Sequence, residues 1–225
     1  MSISKLVRKV VFTRPAVRDC LTLGVINYSA LSRLIQKDLS NMGINASIGA
    51  IKMALIRFSS EMRRGSGTEE RIRRIVAESV LELQTDLAVL TVRRSIVEQK
   101  INSLISLMER ARFFQMTQGL DTFSIITARE LLPRIQSIFP RKFIVNTLDD
   151  QTAIVMVSSE EVIATPGVLE LVLYTLSSNG INVTQVISCY KDTVLILNRE
   201  DASTAYRLLE DLILTTRRSL RSREN

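Results

Sequence analysis

Thr152-Ala153-Ile154-Val155-Met156-Val157, Ala164-Thr165-Pro166-Gly167, the apolar run from Val168 to Leu176, and Ser178-Asn179-Gly180-Ile181-Asn182-Val183 together decide the fold of this chain. A short run of β-branched and apolar residues favours a buried strand, Pro166 suits the first turn of a helix, and Gly180 suits the left-handed residue that stops one. Thr184 to Ser188 and Thr193 to Leu197 then predict a hairpin around Tyr190-Lys191-Asp192. Strand, helix, hairpin and helix in that order make a split βαβ unit, with helices over one face of an antiparallel sheet.

Pro166-Gly167-Val168, followed at helix length by Asn179-Gly180-Ile181-Asn182-Val183 and Ile187-Ser188, resembles an ACT domain of the kind at the regulatory end of aspartokinases, over roughly residues 150–214. The resemblance implies a ferredoxin-like βαββαβ module that binds an amino acid and passes that information to an attached domain. No kinase domain accompanies it, so aspartokinase activity is not implied. By the same resemblance the ligand positions are Pro166, Gly167 and Val168, where a helix start offers free N–H groups to a carboxylate. Asn182 and the backbone of Ile181 and Val183 would complete the site where two modules pair edge to edge. A plainer reading stays open: Pro166 and Gly167 also make an ordinary strand-to-helix turn, Gly180 an ordinary helix stop, and such modules also exist only to dimerise.

The chain also repeats itself. Gln84 to Val92 parallels Gln151 to Val157, and Asp121 to Glu130 parallels Asp192 to Asp201. Residues 79–148 are therefore expected to be a first copy of the module. At the helix start it has Val97-Glu98-Gln99, with an acid that would repel a carboxylate, so this copy is expected to be structural. Arg141 to Leu148 supplies its fourth strand, whereas the second copy ends on a helix, Ser203 to Thr215, and lacks one. Ser79 to Gln84 is expected to fill that edge, interlocking the copies and covering an otherwise open strand.

At 225 residues and 46% hydrophobic content the chain can bury several small cores. It has no histidine and two cysteines, Cys20 and Cys189, at no metal or disulfide spacing. With no phosphate loop or paired carboxylates either, no catalytic constellation is present, and the expectation is a protein that is not an enzyme, with no cofactor. No apolar run approaches the roughly 20 residues of a membrane span and no cleavable leader is visible, so a cytoplasmic location is expected. Charge is uneven: residues 1–77 carry 14 Lys/Arg against 5 Asp/Glu, and residues 78–225 carry 16 against 18. An anionic partner for the N-terminal part follows, nucleic acid foremost.

Ile3, Leu6, Val7, Val10 and Val11 recur at helical spacing, predicting an amphipathic helix laid on the next domain or a second subunit. Three helices follow. Pro15 opens the first, which stops near Gly24; Asn27 or Ser29 caps the second; Asn45 or Ser47 caps the third, with a basic outer face. The arrangement resembles a helix-turn-helix or winged-helix module, although no wing hairpin is visible after Gly67. That resemblance implies DNA contacts from Ser47, Lys52, Arg57, Arg63 and Arg64.

The expected architecture is thus α+β. An all-helical, winged-helix-like domain (1–67) and a linker helix (68–78) precede two intertwined ACT-like modules (79–148 and 149–216) and a basic tail (217–225). The expected function is that of a ligand-responsive transcriptional regulator, a homodimer or higher homo-oligomer binding DNA and an amino-acid effector. The alternative is an allosteric or scaffold protein whose helical domain docks on a partner enzyme without binding DNA.

Overall fold

The computed structural model describes residues 2–64 and 67–224, of which residues 63, 64, 223 and 224 are described in backbone only. The chain divides into two compact units, residues 1–70 and 71–225.

In the first unit, α1 (Ile3–Phe12), α2 (Pro15–Leu23), α3 (Tyr28–Asn41) and α4 (Ile48–Arg64) follow local signals. The Ser2 hydroxyl accepts from the Lys5 amide, Asn27 Oδ1 from Ala30 N–H at 3.0 Å, and Ser47 Oγ from Ala50 N–H at 3.2 Å. Each side chain satisfies a donor that the first helical turn leaves free. Pro15 opens α2 and Gly24, at φ 78°, ends it. Val7, Leu21, Ile35, Leu39, Ile51 and Leu55 are fully buried together. The apolar face of α1, Leu6, Val7, Val10 and Val11, packs on the helices that follow it and belongs to this unit's own core. No strand occurs among the described residues of this unit, so the wing of a winged helix has no counterpart there.

The second unit takes in α5 (Gly67–Glu78) from Arg71 onward, and Ile75 and Val76 of that helix are fully buried in its core. The apolar side of the linker helix thus packs against its own chain. The strands are β1 (Val80–Arg93), β2 (Phe114–Gln118), β3 (Thr122–Ala128), β4 (Ile144–Val157), β5 (Val183–Cys189) and β6 (Asp192–Asn198). They form one antiparallel sheet in the order β2-β3-β1-β4-β6-β5. Helices α6 (Arg94–Met108), α7 (Leu132–Ile138), α8 (Val168–Ser177) and α9 (Arg199–Glu224) complete the unit. The expected tail from Arg217 is not a separate segment, because α9 continues without a break to Glu224.

Each 14-residue strand, β1 and β4, serves both halves of the sheet. Leu87–Arg93 pair with β3, while Val80–Gln84 pair with Ala153–Val157, the edge that the strand count left open. Reciprocally, Gln151–Val157 pair with β6, while Ile144–Leu148 pair with Val89–Val92. Both strands kink at an aspartate in the left-handed region, Asp86 (φ 55°) and Asp150 (φ 59°). Aspartate is among the few L-residues that tolerate that conformation, and the register shifts there as at a bulge.

The pairing corrects the register of the repeat. Leu87 faces Ala128 as Gln151 faces Asn198, and Arg93 faces Thr122 as Val157 faces Asp192. Residues 87–93 thus correspond to 151–157, not 84–92, and Arg129 corresponds to Arg199. The strands are buried on both faces, so no alternation of polar and apolar residues marks the register in the sequence.

Alternate residues build separate cores. Ile154, Met156, Leu195 and Leu197 pack with α5, α8 and α9, and Ala88, Leu90, Val92 and Ile125 with α6 and α7. From the opposite sheet face, Leu87, Val89 and Ile126 of one half meet Ala153, Val194 and Ile196 of the other. The sheet curls so that its helix-free faces bury each other.

Candidate functional site

The segment between β4 and α8 is held at its base by buried hydroxyls. Ser158 N–H donates to Lys191 C=O at 3.1 Å, the Ser158 and Ser79 hydroxyls lie 3.0 Å apart, and Ser79 Oγ donates to Ile75 C=O at 2.7 Å. A 3-10 turn, Glu160–Ala164, follows, closed by Thr165 Oγ1 donating to Glu161 C=O at 2.8 Å. Glu160 and Glu161 are exposed.

Among the predicted ligand positions, Pro166 is exposed, Gly167 precedes α8 at φ 106°, and Val168 is buried in the core. Gly167, the N-cap, has no side chain with which to cap this helix start. A Cβ on Gly167 would stand 2.7 Å from Cδ1 of Ile72 in α5. The missing side chain at Gly167 therefore accommodates a side chain of the same molecule.

The other predicted positions lie at the far end of α8. Gly180, at φ 77°, closes the helix: its N–H donates to Ser177 C=O and the Ile181 N–H to Leu176 C=O, both at 3.1 Å. The Ile181 amide is thus committed to the helix stop, and its side chain is buried in the core, so neither is free to meet a ligand. Asn182 is exposed, and Val183 begins β5 opposite Leu197. Ten helical residues, about 15 Å, separate Pro166–Val168 from Ile181–Val183. Within one chain the structure does not bring the two groups together.

The first half of the sheet has its own helix start, which sequence reasoning misplaced. Helix α6 begins at Arg94 immediately after β1, so Val97-Glu98-Gln99 lie inside it. At that start an open hollow of about 480 Å³ is lined by Arg93, Arg94, Ser95, Glu98, Leu120 and Asp121, and Arg94 N–H donates to Asp121 C=O at 2.9 Å. The change from the apolar run Leu87–Val92 to Arg93-Arg94-Ser95 was the available signal.

Charged residues also gather at the strand kinks. Arg199 is paired with Asp86 and lies 3.6 Å from Asp150; Arg129 reaches Asp149 at 3.0 Å; Arg112 donates to Thr85 C=O at 2.7 Å and Asp86 C=O at 3.0 Å. The hydrogen bond and charge of Asp86, then the charge of Asp150, raise the affinity of the Arg199 guanidinium for its proton. These exposed groups tie the two strand kinks together.

In the helical unit, Ser47 is exposed but its hydroxyl caps α4, and Lys52 is half-buried. Arg57 is exposed and shares a hollow of about 130 Å³ with Ser4, Arg8, Phe58 and Glu61. There Arg8 lies 4.9 Å from the centre of the Phe58 ring and pairs with Glu61. The side chains of Arg63 and Arg64 lie outside the described residues. Met42 (65% exposed), Ile48 (39%) and Met53 (55%) give the first turns of α4 and the turn before it an apolar component that sequence reasoning overlooked.

Comparison with known proteins bears on the fold. Residues 147–211 match the ACT domain family. No curated protein sequence matches the chain. Among solved structures, the fold is similar to aspartate kinase of Clostridium acetobutylicum, at 14% identity and TM-score 0.50, over 59% of this chain and 34% of that one. It is similar to the aspartokinase alpha and beta subunits at 16% identity and TM-score 0.50, over 59% of this chain and 95% of that one. Aspartate kinase from Synechocystis matches at 12% identity and TM-score 0.50, over 61% of this chain and 27% of that one. The chain thus spans about a third of the length of the Clostridium enzyme it matches. At such identities the likeness is one of fold. No helix among the described residues is long and apolar enough to cross a membrane.

Proposed function

We propose that this protein is a ligand-responsive regulator: residues 79–148 and 149–216 act as two intertwined ACT-like modules that take an amino-acid effector, and the basic helical unit carries the response to DNA. The observation that carries the effector reading is the ACT match over residues 147–211, joined to a sheet built from two halves that exchange strands. In this reading Pro166, Gly167 and Val168 offer the helix start, while Asn182 and the backbone of Ile181 and Val183 offer an edge. Because these lie at opposite ends of α8, an effector touching both is shared between two copies of the chain, which makes the homodimer part of the site. Light scattering on the full chain with and without amino acids tests this reading. A monomer whose melting temperature no amino acid shifts would remove it.

Supporting the DNA reading are the excess of Lys and Arg before residue 78, the α3–turn–α4 order and exposed Arg57 on α4. Ser47, Lys52, Arg63 and Arg64 are the other residues assigned to it. Phosphate contacts make such binding strongly salt-dependent, and each one lost lowers the salt slope by roughly one. A gel shift of the full chain and of Arg57→Glu over a salt series tests it; binding that neither salt nor the substitution alters would refute it.

The exposed Met42, Ile48 and Met53 favour a second reading, in which the helical unit docks on a partner enzyme and adjusts it. Co-purification of a stoichiometric protein, with an absorbance spectrum free of nucleic acid, supports that reading over the first.

A further inference from the structure

We infer that the outward face of α4 meets DNA through the C5-methyl groups of thymine, so that its sequence preference is for thymine in the major groove. This deepens, and rests on, the DNA reading above.

At 3.6 residues per turn, α4 points Ile51, Ala54, Leu55 and Phe58 into the core of its own unit, each at most 5% exposed. Ile48, Gly49, Lys52, Met53, Ile56 and Arg57 share the other side. Met53 and Ile48 are exposed, as are Gly49 and Arg57, while Lys52 and Ile56 are half-buried. Base edges are ordinarily read by hydrogen-bonding side chains, arginine or lysine on guanine and asparagine or glutamine on adenine. In its first two turns this face offers one such group, Lys52, and it stands at the flank. The hydroxyls at either end are engaged: Ser47 Oγ accepts from Ala50 N–H at 3.2 Å, and Ser60 Oγ donates to Ile56 C=O at 3.0 Å. What remains for a base to meet is Ile48 on one side and Met53 on the other, with Gly49 between them.

Glycine weakens a helix relative to alanine, and a Cβ on Gly49 would meet nothing within 4 Å, so the packing of this unit does not call for it. Its missing side chain leaves a notch between Ile48 and Met53 where the edge of a base pair can approach the helix. In the major groove the thymine C5-methyl is the apolar group that distinguishes one base from the others. Charge argues for DNA as the occupant. Residues 1–77 carry 14 Lys/Arg against 5 Asp/Glu, and Glu61, the one acid in the sequence of α4, is paired with Arg8. Lys52 and Arg57 flank the apolar pair, as cations that meet the phosphates of a groove wall do.

The test uses the full chain and two alternating duplexes of equal length, one of dA and dT and one with deoxyuridine in place of every thymidine, which differ in the C5-methyls alone. Fluorescence anisotropy at low salt reads both affinities. Burying one methyl is worth about fourfold in affinity, so the thymine duplex should bind about tenfold tighter than the uracil duplex. In Met53→Ala that ratio should fall to about fourfold or less, and Met53→Leu, which keeps an apolar side chain there, should retain it. Equal affinity for the two duplexes, or a ratio that Met53→Ala leaves unaltered, overturns the methyl contact while the DNA reading stands. Binding of neither duplex removes the DNA reading, and the methyl contact with it.

Discussion

The guanidinium of Arg199, the first residue of α9, is paired with the carboxylate of Asp86, 113 positions earlier in the chain. Asp86 is the kink of β1, and Arg199 also stands 3.6 Å from Asp150, the matching kink of β4. One cation thus faces both bends at which the long strands pass from one half of the sheet to the other. Arg129, its counterpart in the repeat, meets Asp149 and Asp150 from the other half.

The two kinks depend on residues that accept a positive φ. Asp86→Val and Asp150→Val should each lower stability by roughly 1–2 kcal/mol, the cost of a left-handed conformation for an L-residue, while Asp86→Gly should stay within about 1 kcal/mol of the parent. Urea denaturation with an unchanged slope is the measurement. Full tolerance of valine at both positions would mean that the strands can cross without these bends.

For Arg199 the direction of the proton affinity sets the pH behaviour. A raised folded-state pKa contributes stability that is complete below the unfolded value and lost only as pH rises through the folded one. Both lie in the strongly alkaline range. The stability difference between the parent and Arg199→Gln should therefore stay constant across neutral pH; a difference that titrates there would place another ionisable group at the crossing.

Gly167 and Gly180 should respond differently to alanine. Gly180→Ala meets only the backbone penalty, about 1 kcal/mol, and Gly180→Asn less. Gly167→Ala meets that penalty and in addition makes the Ile72 Cδ1 methyl turn aside, about 1–2 kcal/mol in all. In a double-mutant cycle the cost of Gly167→Ala should fall when Ile72 is already alanine, and the cost of Gly180→Ala should not. Melting curves of the six proteins decide it.

Ser59 is the polar joint of the helical unit: its buried hydroxyl donates to Leu21 C=O at 2.8 Å and accepts from Tyr28 Oη–H at 2.9 Å. Ser59→Ala should cost about 1–3 kcal/mol, because it leaves a buried carbonyl without a partner. Tyr28→Phe should cost less, since Ser59 keeps its own acceptor. Equal losses in chemical denaturation would contradict that division.

Much of this was legible in advance. Ser47, Pro15, Gly24 and Gly180 mark helix ends by chemistry confined to one turn, and they do so in the structure. The apolar runs at Leu87–Val92 and Ala153–Val157 identify strands. Their register was not legible, because a strand buried on both faces has no polar residue to mark which side is which. The start of α6 was misplaced for a related reason: β1 passes into the helix at Arg93–Arg94 with no glycine, proline or side-chain cap to announce it.

The sequence alone determined which segments are helices and strands, where most of them stop, and that the C-terminal part carries an ACT-type strand and helix order. Those properties follow from side chains acting on their own backbone within a few residues. Only the tertiary structure decided that Pro166–Val168 and Ile181–Val183 lie apart, that Ile72 fills the space over Gly167, and that Asp86 meets Arg199. Each of these depends on where a fully formed element sits against another, which packing of the whole core sets and no local pattern encodes.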